Sequence, residues 1–227
     1  MNVTLVGPGV HGTMIAALLA RHGVGVTLYH YKPAKAEAAA AQVRAVAQDP
    51  SRVAVENDLH RAAAASDIVV LATLWGEAQR QVIQEIGDEL AGRVVVDVSN
   101  PLDVTPHGII RALSPHQSSG AFVAGLLPEG TSHVKVFSSI GPDALAEGAD
   151  LADPAVLAYG ASDARGKKAG AEMVRAVGWR PWFLGDAVRN AVRLEIGGEV
   201  NVLRGRRGRL ITEAEAEAAF GPEATDI

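Results

Sequence analysis

The sequence predicts an α/β fold: a doubly wound, parallel sheet with helices on both faces. Three observations predict it. Short β-branched runs alternate with alanine-rich runs of helical length through the first hundred residues. Hydrophobic residues make up 48% of the 227 but aromatics only 4%, so Val, Leu, Ile and Ala must build the core, which suits strands buried on both sides. Glycines follow the first apolar run at once, in Gly7-Pro8-Gly9-Val10-His11-Gly12.

The elements follow in order. Asn2 to Val6 reads as a strand and His11 to His22 as a helix closed by Gly23. Gly25 to Tyr29 is a second strand. Pro33 to Ala47 is a helix with proline suitably placed in its first turn. Arg52 to Val55 and Asp67 to Ala72 read as strands, Gly76 to Leu90 as a helix, and Arg93 to Val98 as the most apolar strand. After Asn100-Pro101 the pattern loosens. Ser118 caps a short helix through Leu127, His133 to Ser138 and Val156 to Tyr159 are strands, Ala164 to Val177 is a helix, Arg180 to Leu184 is a last strand, and a final helix starts near Asp186. A Gly/Pro/Ala/Asp-rich stretch near Gly141 suggests a division into 1–141, a small C-terminal α/β domain over 142–211, and a polar tail over 212–227, read as a frayed helix or a disordered segment.

Composition narrows the function. A net charge of −5 gives no reason to expect a nucleic-acid partner. With no cysteine, disulfides and thiolate chemistry are excluded. No signal peptide is read at the N-terminus, and no apolar run reaches the ~18 residues of a membrane span, so a cytoplasmic protein without a membrane partner is expected.

The glycine motif is a GxGxxG in its required place, after a strand and opening a helix. Gly7 makes the tight turn, Gly9 lets the backbone approach a pyrophosphate, and Gly12 lets the helix pack on the strand. The helix start, with Val10 and His11, offers free N–H groups and partial positive charge to phosphates. This is a Rossmann-type dinucleotide site. Loops starting near Gly7, His30, Thr73 and Ser99 should line one cleft beyond the carboxyl ends of the strands. An NAD site commonly has a carboxylate about 20 residues past the motif to hold the ribose 2′-hydroxyl. Here the stretch is Tyr29-His30-Tyr31-Lys32-Pro33-Ala34-Lys35, without an acid. Lys32 and Lys35 attract a 2′-phosphate, His30 can donate to it, and Tyr31 can stack on adenine, so NADP(H) is the expected cofactor.

Beyond the glycine loop, the segments Lys32-Pro33-Ala34-Lys35-Ala36-Glu37, Trp75, Asp97-Val98-Ser99-Asn100-Pro101-Leu102, Ser118 to Ala121, Val134 to Phe137, Gly178 to Gly185 and Leu194-Glu195 resemble the NADP oxidoreductases that work with the deazaflavin coenzyme F-420. The resemblance runs from Asn2 to about Glu195. It implies a Rossmann domain with a small C-terminal domain, a homodimer, and a deazaflavin co-substrate against the nicotinamide. It places His30 and Lys35 on the 2′-phosphate, and Leu74, Trp75 and Asn100 near the nicotinamide, with Thr73 and Pro101 beside them. Two departures stand out. Ser138-Ser139 replaces the family's His-Thr or Asn-Thr pair on the acceptor side, and Gly197-Gly198 with the run Arg204 to Arg209 replaces its apolar C-terminal helix.

No HExxH or GxSxG motif occurs, no metal site is expected, and no catalytic residue is assigned. His107 and His116, in a loop flanked by prolines, read as solvated. Trp179 and Trp182 read as packing. The arginine run reads as a solvated loop or as an anion site for a phosphorylated or carboxylated substrate. Hydride transfer between stacked rings needs little acid–base machinery, because the cofactor carries the chemistry. The expected activity is therefore hydride transfer between NADP(H) and a deazaflavin or another small molecule. The alternatives are a reductase of a flavin, imine or pathway intermediate, and a non-catalytic NADP-binding sensor.

Overall fold

The computed structural model of the protein describes residues 1–106, 108–202 and 208–227. His107, Arg204, Arg206 and Arg207 lie outside the described residues. The chain runs β1 (Asn2–Val6), α1 (Val10–Arg21), β2 (Gly25–Tyr29), α2 (Pro33–Val46), β3 (Val53–Val55), α3 (Leu59–Ala64), β4 (Ile68–Leu71), α4 (Glu77–Glu85), α5 (Gly87–Leu90) and β5 (Val94–Asp97). It continues through β6 (Leu102–Thr105), β7 (Gly108–Arg111), α6 (Ser119–Ala124), β8 (Ser132–Lys135), α7 (Pro142–Glu147), β9 (Val156–Ala161), α8 (Ala164–Ala176), β10 (Arg180–Phe183), α9 (Ala187–Leu194) and α10 (Glu213–Phe220).

Eight strands form one sheet in the order β10-β9-β8-β5-β4-β1-β2-β3. The run β3-β2-β1-β4-β5-β8 is parallel throughout and has the 3-2-1-4-5-6 order of a Rossmann sheet. The order reverses at β1 and β4, so the crevice opens beyond their carboxyl ends. Alternation along each strand feeds two cores. Ile68 and Val70 of β4 face α1, α2 and α8 through Ile15, Leu19, Val43 and Met173, while Val69 and Leu71 face α3, α4 and α5 through Ala63, Ile83 and Leu90.

Several elements differ from expectation. β9 pairs antiparallel to β8, through Val134↔Ala161 and Lys135↔Gly160. All six of its residues are buried, and an apolar run reads the same in either direction. The segment expected to form a small C-terminal domain adds β9 and β10 to the same sheet. The expected helix from Gly76 to Leu90 is two helices that meet at Ile86 and Gly87, and glycine is a weak helix former. The hairpin of β6 and β7 was not foreseen. The first half of the tail is the capped helix α10, and residues 221–227 continue without regular structure. Thr212 and Glu215 form a reciprocal capping box on α10, and Ala216 is buried with Trp182 and Leu194. Beyond it, Ala224 N–H donates to Phe183 O and Glu223 accepts from Phe183 N–H, which covers the free edge of β10.

Candidate functional site

A cavity of about 650 Å³ opens at the reversal point of the sheet. It is walled by Gly9 to Gly12, by Thr73, Leu74 and Trp75 after β4, by Ser99 and Asn100 after β5, by Leu102 and Ile109 of the hairpin, and by Phe137 and Ser138 after β8. That volume is in the range of small-molecule and cofactor sites.

The three glycines separate cleanly by what a side chain would meet. Gly7 has φ +75 and donates its N–H to Tyr29 O at 2.8 Å; a Cβ there would lie 2.6 Å from Thr73 Cγ2. A Cβ on Gly12 would lie 2.8 Å from Ala72 Cβ, so its absence lets α1 press on β4. At Gly9 a Cβ would meet nothing within 4 Å. Gly9 is the N-cap of α1, contributes no side-chain cap, and no acid stands in the first turn. The orphan N–H groups of the helix start therefore face open space without a competing anion, which fits a dinucleotide pyrophosphate.

At the end of β2, the His30 and Tyr31 rings stack with centroids 4.7 Å apart, and Lys32 Nζ sits 5.4 Å from the Tyr31 ring centre. His30 Nδ1 accepts from Lys32 N–H at 2.9 Å, so any proton of the neutral ring is on Nε2. Desolvation, then Lys35 and Lys32, lower the His30 pKa. Tyr31 is 72% exposed, as a platform for a flat ring requires. Lys35 is in the first turn of α2 and lines the groove against α1.

On the other side of the cleft, polar groups are tied to one another. Asn100 donates from Nδ2 to Ser138 O and accepts at Oδ1 from Ile196 N–H, both at 2.8 Å. Its amide braces the walls instead of being free for a ligand. Pro101 is buried behind the wall, and its carbonyl accepts from Ala112 N–H. Ser138 lines the cleft, is 4% exposed, and has no hydrogen-bond partner for Oγ; Ser139 is fully buried and is not part of the lining. Phe137 has φ +66, rare for a bulky residue, and this turn carries the chain from β8 into the wall.

His11 is the only side chain of the described lining that titrates near neutrality, and the lining holds no Asp, Glu, Lys or Arg. Its Nε2 lies 3.1 Å from Phe137 O, so Nε2–H donates and Nδ1 carries a lone pair without a partner. Burial lowers its pKa and outweighs the bond to Phe137, so the ring is neutral at pH 7.

Behind the wall lies a cluster that sequence reasoning missed. Lys135 is fully buried and donates to Asp97 Oδ2 at 3.0 Å, Ser99 O at 2.5 Å and Ser99 Oγ at 3.0 Å. Glu195, also fully buried, lies 3.6 Å from Lys135, accepts from Ser119 Oγ and Gly120 N–H, and pairs with Arg111 of the hairpin at 3.0 Å. Burial alone would raise the Asp97 pKa, but Lys135, His133 and Ser99 together hold it well below the usual carboxylate range. Two cations and two carboxylates thus bind β5, β8, α6, α9 and the hairpin into one frame. The signal in the sequence was polar residues inside apolar strands: Asp97 and Lys135. Among the described residues there is no group of three metal-ligating side chains, and no helix is long and apolar enough to cross a membrane.

Residues 2–100 match the family described as NAD-dependent glycerol-3-phosphate dehydrogenase N-terminus. A glycerol-3-phosphate dehydrogenase [NAD(P)+] of Chlorobium limicola is 32% identical over 111 residues, which is 46% of this chain and 33% of that protein. The match thus spans about a third of the length of that curated relative. A hypothetical protein from Sinorhizobium meliloti shares the fold with a TM-score of 0.74 at 21% identity, over 94% of this chain and 96% of the other. A putative F420-dependent NADP reductase from Arthrobacter superposes with a TM-score of 0.68 at 25% identity, over 85% and 87% of the two chains. A reductive aminase from Aspergillus terreus, solved with NADPH and ethyl levulinate, gives 0.61 at 21%, over 84% of this chain and 57% of its own. In sequence over residues 2–100, and in fold over most of its length, the chain is similar to NAD(P)-dependent oxidoreductases of the Rossmann type.

Proposed function

We propose that the chain is an NADP-dependent oxidoreductase that passes hydride between the nicotinamide and a flat acceptor ring, a deazaflavin of the F-420 type being the first candidate. The observation that carries this reading is the cleft itself. It abuts an open helix N-terminus, yet its described walls hold no charged side chain, and its one histidine is neutral. Such a site suits two stacked flat rings. NADPH, when bound, supplies the hydride. Gly9 and the start of α1 bind its pyrophosphate, Lys32, Lys35 and His30 bind the 2′-phosphate, and Leu74, Trp75 and Thr73 wall the nicotinamide. Asn100 positions Ser138 through its carbonyl, and Ser138 faces the acceptor. The likeness to the putative F420-dependent reductase supports this choice of acceptor.

A second reading, reduction of a cyclic imine or a flavin in the same cleft, is favoured by the unpartnered Ser138 hydroxyl, which can donate to a ring nitrogen. One assay decides. NADPH oxidation is followed under anaerobic conditions with a deazaflavin, free flavin and a cyclic imine in parallel. Turnover of the deazaflavin is expected. Turnover of another acceptor alone sinks the first reading, and NADPH binding with no turnover favours a sensor.

A further inference from the structure

The β6–β7 hairpin stands beside the cleft as a two-stranded sheet of its own. Its register sorts the side chains onto two faces. Leu102 opposes Arg111 and Val104 opposes Ile109, so these four share one face, while Asp103, Thr105 and Ile110 share the other. The first face is turned toward the body of the protein. At the base of the hairpin, Arg111 pairs with buried Glu195 and donates to Ile196 O. Leu102, beside Arg111, and Ile109, nearer the tip, line the cleft. At the outer end of the same face, Val104 is 86% exposed. The base is fixed further by Leu102 N–H on Asn100 O and Ala112 N–H on Pro101 O. One apolar face thus begins in the cleft and overhangs it. Its three apolar side chains fall far short of the ~800 Å² per partner that a stable protein interface needs, which argues against a second chain as the occupant. The face is instead continuous with the wall around whatever molecule fills the cleft.

We propose that Val104, with Leu102 and Ile109, selects the acceptor by ring size: the inner face of the hairpin covers the part of a flat, fused-ring acceptor that projects from the cleft. That the projecting molecule is the hydride acceptor rests on the reading under Proposed function. A fused three-ring system that begins against the nicotinamide extends to Val104, and a single five-membered ring stops short of it. The only charge on this face, Arg111, is held by Glu195, so the face adds apolar area to the site and no charge contact.

The test uses the protein loaded with NADP+, in which no hydride can move, and two probes: 5-deazariboflavin, with three fused rings, and 1-pyrroline, a single-ring imine. Calorimetric titration reads affinity. Val104→Ser should weaken 5-deazariboflavin roughly fivefold to tenfold, the effect of covering part of a valine side chain. Binding of 1-pyrroline and of NADP+ should be unchanged. Ile110→Ser, a similar loss at a half-exposed site on the outer face, should change none of the three. Both side chains are exposed, so both variants should fold. The chain has no cysteine, so Val104→Cys and Ile110→Cys each carry a single thiol. Bound 5-deazariboflavin should slow alkylation of Val104→Cys by iodoacetamide and leave that of Ile110→Cys unchanged. Equal effects of Val104→Ser and Ile110→Ser, an equal loss for 1-pyrroline, or weakened NADP+ binding in Val104→Ser overturns the proposal. So does alkylation of Val104→Cys that is indifferent to the bound probe, or a wild type that does not bind 5-deazariboflavin. Hydride transfer from NADPH is measured separately. The Val104 pattern without transfer upholds the hairpin surface and sinks the reading of its ligand as the hydride acceptor. Transfer to 5-deazariboflavin without the pattern sinks the hairpin surface alone.

Discussion

Replacing the three glycines of the first turn one at a time separates binding from folding. In Gly9→Val the new side chain enters space that is empty to 4 Å, at φ −80 and ψ −160, where any residue is comfortable. The folding cost is the lost preference for glycine at an N-cap, about 1 kcal/mol. The binding cost is larger, because the side chain fills the approach of the pyrophosphate to the orphan N–H groups. A loss of at least ~100-fold in NADPH affinity, or ~2.7 kcal/mol, is expected. Gly12→Ala brings Cβ to 2.8 Å from Ala72 Cβ, so α1 must shift from β4. Overpacking of this kind costs ~1–3 kcal/mol, which in a protein of this size lowers Tm by roughly 3–10 °C. Gly7→Ala combines a 2.6 Å approach to Thr73 with a left-handed φ and should be worse. Calorimetric titration with NADPH and thermal melts on the same samples provide both axes. Wild-type NADPH affinity in Gly9→Val, or a melt below that of Gly12→Ala, would refute the assignment of that open space to the pyrophosphate.

Three other expectations follow from the site. Lys32→Ala with Lys35→Ala should erase the preference for NADPH over NADH; titration of both cofactors checks this, and an unchanged ratio shows that the 2′-phosphate is held elsewhere. Lys135→Met leaves Asp97 and Glu195 buried with one cation fewer, a change that typically costs ~3–5 kcal/mol; urea unfolding measures it, and a loss below about 1 kcal/mol would mean the cluster relaxes to water. The Asp97 carboxyl, with its folded pKa below the unfolded value, contributes stability that is fully present above about pH 4 and lost as pH falls toward the folded value. Asp97→Asn should therefore flatten the decline in stability below pH 4, and an identical acid profile would place that proton uptake on other groups.

Particular residues show how far the sequence could be read and where it stopped. The glycine spacing, the β-branched runs and the acid-free stretch after β2 are local, so the Rossmann sheet and the position of its cleft were legible from them. Strand polarity is not local. Ladder direction depends on the route of the connection, so β9 could be recognised as a strand but not as an antiparallel one. The tail reads from its alanine and glutamate composition as a frayed helix or a disordered segment; it is in part a helix, and what anchors that helix is not local, because Ala216 is buried only where Trp182 is there to cover. Asn201 and Ile196 reach the site for the same reason: their partners, Ser138 and Asn100, lie 63 and 96 residues away.

By itself, then, the sequence determined the dinucleotide turn, because the steric demands on Gly7, Gly9 and Gly12 are met within a few residues and beside adjacent strands. It also determined the lack of an acid at the end of β2. Only the tertiary structure decided that Asn100 is a brace, that Ser138 but not Ser139 reaches the cleft, and that Asp97, Lys135, Glu195 and Arg111 share one buried frame. Charges so far apart in the chain interact only after folding removes the water between them, and no pattern along the sequence records that distance.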